Sequence, residues 1–528
     1  MRQHSKEILR FDNLMSRKVK SRLTVALVFI LCCVVIGAFL YAQLNLKEKN
    51  HKADLFTLVP ADAQAIVETN NINNLFQALE AAPYRQAYEE LHFSALFNFL
   101  NHKIEELAEE KGHGLSVPMS NVLISFHAPG SSKDQVLYGH LGNGDQNLMD
   151  NILKELNTTG HTPKIIKYKG ERITIYPLNN QEFLSCFFQD NCYAISYQKN
   201  LIEAVIDAYV SKESIRSDSL FSQIFQKKKS ENTSRLYART MPIAEWTQYD
   251  FQLQGDAIYL TGTCFQDEGK GNDRFPQISH IQPQLLSADY LPAKTYIFFQ
   301  LGIKDIHGIV STLAYNDSVV RKELYKDMPC DGEFYQFLED YAKNEIDIVE
   351  FLGKDTTQSH RVMLIPLRDS LSPTLNAWKN IASRTWKQVW YDGHSYPFYT
   401  FPNNRLMKHL VSKRASTVEK LTSVMCKQHL LISDREEDIK AYLNKRSYTD
   451  LSHLFWEEKL GDLAPQADFT FFADMESVYR RPDEFRTMLP TFFFKHLDFF
   501  RQFTITIQFI ESGERLSTNI TLNYKVKA

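Results

Sequence analysis

The chain has none of the short motifs that encode a catalytic or nucleotide-binding geometry. It contains no Gly-x-x-x-x-Gly-Lys loop, no Gly-x-Gly-x-x-Gly turn, no Gly-x-Ser-x-Gly elbow, no His-Glu-x-x-His and no Cys-x-x-Cys. Each of these fixes a geometry: amides on phosphate, a nucleophile on a sharp turn, or two imidazoles on one helical face. Their absence removes the common readings and leaves only sites assembled from distant positions. Glycine and proline are sparse, at 20 and 18 of 528 residues, which argues against loop-rich or low-complexity structure. Sixteen histidines are scattered. The nearest groupings, His102 with His113 and His127 with His140, lack the short spacings of a zinc site. No metal, cofactor or catalytic residue is expected. Beyond the N-terminus no basic run stands out. Lys227, Lys228 and Lys229 read as a solvated helix end, where cations offset the helix dipole.

Charge is unevenly placed. Residues 1–22 carry seven basic side chains against Glu7 and Asp12, so the net charge of -3 leaves -8 for the rest. A mildly acidic remainder argues against nucleic acid, which is bound through Lys and Arg on phosphate. Between Leu23 and Leu44 no residue is charged, a run of 22, of which thirteen are Leu, Ile, Val or Phe. As a helix it would span about 33 Å, enough for a hydrocarbon core of roughly 30 Å. The run is too long for a signal-peptide core and lacks an Ala-x-Ala end, so it reads as an uncleaved anchor with the membrane as partner. The cluster Arg17, Lys18, Lys20 and Arg22 before it predicts a cytoplasmic N-terminus. The expectation is a single-pass inner-membrane protein: a basic segment 1–22, an anchor 23–44, a polar stalk 45–57 and a periplasmic ectodomain.

The ectodomain resembles itself. Val59-Pro60-Ala61-Asp62-Ala63 opens a strand-like run and then a helical pattern, and Leu291-Pro292-Ala293 does the same 232 residues later. Residues 119–141 match 345–367 without a gap, and both read as two apolar strands joined by a polar turn. Residues 192–196 match 429–433, and 222–225 match 452–455. Ordered matches at a nearly constant offset predict an internal duplication. The expected units are residues 58–265 and 285–528, joined by a linker 266–284 that holds Gly269, Gly271, Pro276 and Pro283. Strands in runs with interspersed helices predict an α+β fold with largely antiparallel sheet in each copy. A single span, a polar stalk and the Val-Pro-Ala-Asp-Ala opening together resemble an uncharacterised, domain-of-unknown-function family of bacterial envelope proteins. That resemblance implies no catalytic residues.

Two groups of residues remain as candidates. Cys186 and Cys192 flank residues 187–191 in a hairpin pattern, where a disulfide and two unpaired buried thiols both fit. Residues 492–503 are the most unusual stretch outside the span, with six Phe and one Leu among twelve residues. On a helix Phe493, Leu497 and Phe500 form one stripe, with Phe492, Phe499 and Phe503 beside it, a face for the protein's own core or for a partner or lipid. Asp62 and Asp305, at strand ends, read as turn residues. The function expected is a non-enzymatic interaction or scaffold module with a protein partner in the envelope. The alternative is a carrier for an apolar ligand, and a hydrolase without a recognisable motif comes third. A cavity of several hundred cubic ångströms would favour the carrier, and a cleft with converging His, Ser and carboxylates the enzyme.

Overall fold

The computed structural model describes residues 54–84, 121–128, 131, 133–141, 149, 153, 162–178, 182–189, 191–225, 234–239, 246–265, 281–286, 288–303, 332–353, 358–369, 372–391, 393–402, 418–444, 456, 460, 461, 463–481, 494, 497–512 and 515–525. The segments 1–22 and 23–44, most of the stalk and most of the linker, with Asp305, His102, His113 and Lys227 to Lys229, lie outside the described residues.

Runs of β-branched and aromatic residues such as TYIFFQLG and FTFFAD extend into strands, because such side chains pack well on a pleated surface. The first half contributes β1 (Ala65–Thr69), β2 (Val122–Phe126), β3 (Gln135–His140), β4 (Lys164–Tyr168), β5 (Glu171–Pro177), β6 (Phe183–Gln189), β7 (Cys192–Ser196), β8 (Ser234–Ala238), β9 (Thr247–Gln254) and β10 (Ala257–Phe265). The second contributes β11 (Thr295–Gly302), β12 (Glu345–Leu352), β13 (Ser359–Pro366), β14 (Ser383–Tyr391), β15 (His394–Pro402), β16 (Lys420–Cys426), β17 (His429–Ser433), β18 (Phe469–Asp474), β19 (Phe503–Ser512) and β20 (Arg515–Tyr524).

All twenty join one sheet. Across it the order is β4-β5-β6-β7-β3-β2-β1-β8-β9-β10-β20-β19-β18-β11-β12-β13-β17-β16-β15-β14, and every pair is antiparallel. Beyond the β10–β20 pair the order repeats that of the near side with each strand number raised by ten. Tight turns fix the register. Lys169 and Gly170, both at positive φ, close β4 on β5 in the turn geometry that suits the strand twist.

Two expectations are corrected here. The α+β arrangement of two separate units behind a transmembrane helix is replaced, among the described residues, by a single 20-stranded antiparallel sheet with short helices on its faces. The reason lies at β10 and β20, which pair along nine residues from Ala257↔Asn523 to Phe265↔Arg515. Two edges that separate units would leave open satisfy each other instead. The single-pass inner-membrane placement is corrected as well: among the described residues no helix is long and apolar enough to cross a membrane.

Strand alternation sends side chains to both faces, and short helices cover each. In the first half Ile66, Leu123 and Phe187 pack under the helices Lys199–Ser211 and Ser219–Phe225. Ile124, Leu137 and Tyr193 meet the helix Ile72–Ala81 on the other face. In the second half Phe298, Leu364 and Leu431 lie beneath the helix Glu436–Leu443. Ile348, Met363 and Trp378 form the opposite core with the helices Gly332–Tyr341 and Ser372–Ile381. A fifth cluster spans the joint, bringing Tyr84 of the first half against Phe503 and Tyr524 at ring distances of 5.7 and 6.0 Å.

The aromatic segment enters that central cluster. Phe499, Phe500 and Phe503 are buried, with Phe499 5.0 Å from Phe500 and 4.8 Å from Phe503. Leu497 is 40% exposed, and Phe492 and Phe493 lie outside the described residues. Phe500→Ala is therefore expected to lower the unfolding free energy by about 3–5 kcal/mol in a denaturant melt, the usual cost of emptying a buried aromatic site. A change within about 0.5 kcal/mol would show the ring to be a surface group.

Candidate functional site

A cleft of about 440 Å³ opens at one end of the second half. Its floor follows from the register. Leu364 of β13 sits opposite Leu431 of β17, and both point to the same face. One wall is the end of the helix Glu436–Leu443, which presents Tyr442 and Leu443. The other is the short turn Ala288–Tyr290. That turn is tied to the sheet at several points. Gln300 accepts from the Leu286 amide (3.3 Å) and donates to the Gln284 carbonyl (2.7 Å), the Trp456 indole donates to the Pro292 carbonyl (3.2 Å), and the Tyr442 hydroxyl donates to the Tyr290 carbonyl (2.9 Å).

The polar end of the cleft is built by the β16–β17 hairpin. Its turn, with Lys427 at φ 52°, places Cys426 directly opposite His429. The Tyr290 ring lies 4.4 Å from the His429 ring, and the Lys427 ammonium stands 5.9 Å from the Tyr290 ring centre. His429 Nδ1 is buried without a hydrogen-bond partner. Burial, helped by Lys343 and Lys427, pushes the imidazole down to about 4. Burial also raises the Cys426 thiol, against the opposing pull of Lys427 and of the Tyr396 hydroxyl. At neutral pH both groups are uncharged, the reverse of the thiolate–imidazolium pair that an active cysteine needs. One row further across the sheet, Asp347 lies opposite Leu364. Desolvation, with the adjacent Glu345 carboxyl, raises Asp347 well above its ordinary value.

A second constellation lies in the first half. Ser125 Oγ is 2.8 Å from His127 Nε2, and His127 Nδ1 is 3.4 Å from an Asp62 oxygen. The order matches a Ser-His-Asp triad. Proximity to His127 holds Asp62 below the usual carboxylate range. The hydroxyl, however, is fully buried within the sheet and touches the buried Tyr138 hydroxyl at 3.1 Å, leaving no room for a substrate. The chain Asp62–His127–Ser125–Tyr138 is a polar network that runs from the exposed Asp62 into the buried sheet. Around it the Val-Pro-Ala-Asp-Ala opening is clamped by Arg239, which donates to the Ala61 and Ala63 carbonyls at 2.9 and 3.1 Å and stacks on Trp246.

The candidate disulfide is not formed: neither Cys186 nor Cys192 is bridged. Cys186 lies opposite Ile195 and Cys192 opposite Gln189, and the two sulfurs enter different cores on opposite faces of the sheet. Among the described residues no group of three or more His, Cys, Asp or Glu is placed to hold a metal.

The depressed His429 pKa has a measurable consequence. Its folded value of about 4 lies below the ordinary 6.5, so on acidification the unfolded chain takes up this proton first. Stability should be intact above pH 6.5 and fall as pH drops from 6.5 towards 4. For this group the loss is on the order of 2–3 kcal/mol, allowing for screening at the open side of the cleft. Melts of His429→Leu across that range should show the smaller acid loss, and identical pH profiles for the two proteins would refute the assignment.

A family model described as "Protein of unknown function (DUF3352)" matches residues 127–257, which run from the end of β2 to the start of β10. No curated protein matches the chain. Among solved structures, "Structure of crystal form III of TP0453" is similar at 12% identity and a TM-score of 0.24, covering 42% of this chain and 83% of that one. "Structure of crystal form I of TP0453" is similar at 12% identity and a TM-score of 0.23, covering 42% and 82%. Residues 127–257 thus resemble an uncharacterised domain family, and the cleft of the second half lies outside the matched region.

Proposed function

We propose that the protein is a non-catalytic binding protein that holds a small, largely apolar ligand in the cleft between the Ala288–Tyr290 turn and the β15–β17 strands. One observation carries this reading: a cleft of about 440 Å³ whose floor and walls are Leu364, Leu431, Leu443 and three tyrosine rings. That volume lies within the roughly 300–1,000 Å³ of small-molecule sites. At its polar end His429 and Cys426 are neutral at pH 7, while Asp289 and Lys427 also line the cleft, so the ligand that fits is apolar with a polar end. The same neutrality, with the burial of Ser125, weighs against a hydrolase. An interaction module is the second reading. It draws support from β14, an outer strand of the described sheet, which presents Trp390 with 73% of its surface exposed.

Titration of the full chain with the neutral fluorophore N-phenyl-1-naphthylamine tests the carrier reading. Saturable binding at one site per chain is expected. Cys426→Trp, which fills the cleft, should weaken it about tenfold or more while leaving a cooperative melt. Equal affinity in the variant, or purely non-saturable binding, would contradict the proposal.

A further inference from the structure

A second cleft, of about 290 Å³, lies in the first half between β9 and the start of the helix Ile72–Ala81. None of its lining residues among those described is charged, in a chain where 23% of residues are. Amides and hydroxyls dominate instead: Asn70, Asn71, Asn74, Gln252 and Gln254, with Thr69 and Ser234 behind them. Phe251 and Leu253 supply an apolar patch.

The internal hydrogen bonds show which groups face a ligand. Asn71 caps the helix, its Oδ1 accepting from the Asn74 amide at 3.1 Å, which leaves its NH₂ to donate outward. Thr69 Oγ1 accepts from the Asn71 amide (3.3 Å) and from Ser234 (3.1 Å), so its own O–H remains to donate. Gln254 donates to Gln252 Oε1 at 3.0 Å, leaving the Gln252 NH₂ and the second Gln254 N–H as donors and Gln254 Oε1 as an acceptor. The exposed Asn74 adds one group of each kind.

Donors and acceptors are therefore mixed in one lining, with no fixed charge among its described residues and with an apolar patch. An ionic ligand would find no counter-charge there. A wholly apolar ligand would leave the amides buried and unpaired, which is unfavourable. A sugar matches all three features: each hydroxyl both donates and accepts, the ring carries no charge, and its C–H face packs on aromatic and aliphatic carbon. We propose that this cleft binds a neutral saccharide unit, at a site distinct from the apolar cleft of the second half.

Saturation-transfer NMR on the full chain, with glucose, galactose, mannose and N-acetylglucosamine as probes, tests this. Transfer to the ring C–H protons of at least one sugar is expected, and it should saturate with concentration. Asn74→Ala combined with Gln252→Ala should weaken binding about tenfold, as loss of two hydrogen bonds requires. Both side chains are exposed, so the melting temperature should stay unchanged. The proposal is overturned if no sugar shows transfer, if the double variant binds as well as the parent, or if glucuronate or N-acetyl-glycyl-glycinamide binds more tightly than every neutral sugar. Failure here leaves the naphthylamine titration of the other cleft unaffected, so the two proposals stand or fall separately.

Discussion

The antiparallel pairing of β10 with β20 is the contact on which the rest of the architecture depends. Each half ends in a long hairpin, β9–β10 or β19–β20, whose outer strand would present a row of unpaired amides and carbonyls. Joining the two outer strands satisfies both rows and brings the ends of both halves over one core. Close approach is built into the hairpin beside the joint: Gly262 of β10 lies opposite Tyr249 of β9, and a Cβ there would stand 2.5 Å from the tyrosine ring. Tyr84, from the loop after the first helix, packs into the second half's aromatic cluster and ties the faces as well as the edges.

Both clefts are products of this layout. The apolar one exists because the Ala288–Tyr290 turn is held against the ends of β13 and β17 by Gln300, Trp456 and Tyr442. The amide-lined one exists because the helix capped by Asn71 stands beside β9. The described lining of the amide cleft carries no charged residue, whereas Asp289 and Lys427 both line the apolar one. Buried ionic chemistry is concentrated elsewhere. Asp438 accepts from Arg435 and His360 at the start of the helix Glu436–Leu443, and Glu350 pairs with Arg361 at 3.2 Å while accepting from Tyr296 at 2.9 Å. These pairs tie helix to sheet and strand to strand.

Apolar runs within the matched segments mark some of the strands. The matched segments 119–141 and 345–367 fall on β2–β3 and β12–β13. The merging of the halves was not legible, because strand pairing across more than 250 residues leaves no local trace in β10 or β20. Period two places Ser125 and His127 on one strand face, yet Asp62 joins them only through the turn before β1. Cys426 and His429 stand opposite each other across a short turn, a relation that hairpin geometry implies once the turn is recognised. The approach of Tyr290, some 140 residues upstream, is purely tertiary. The Cys186–Cys192 hairpin is legible in the sequence, but its register decides which face each sulfur takes, and that depends on the turn position.

Native-state hydrogen exchange along β10 and β20 tests the joined sheet most directly. If the two strands pair as described, amides within residues 257–265 and 515–523 are protected to nearly the free energy of global unfolding, like those of the central pair β1–β2. Exchange through local fraying, orders of magnitude faster than in β1 and β2, would show two open edges and contradict the single sheet.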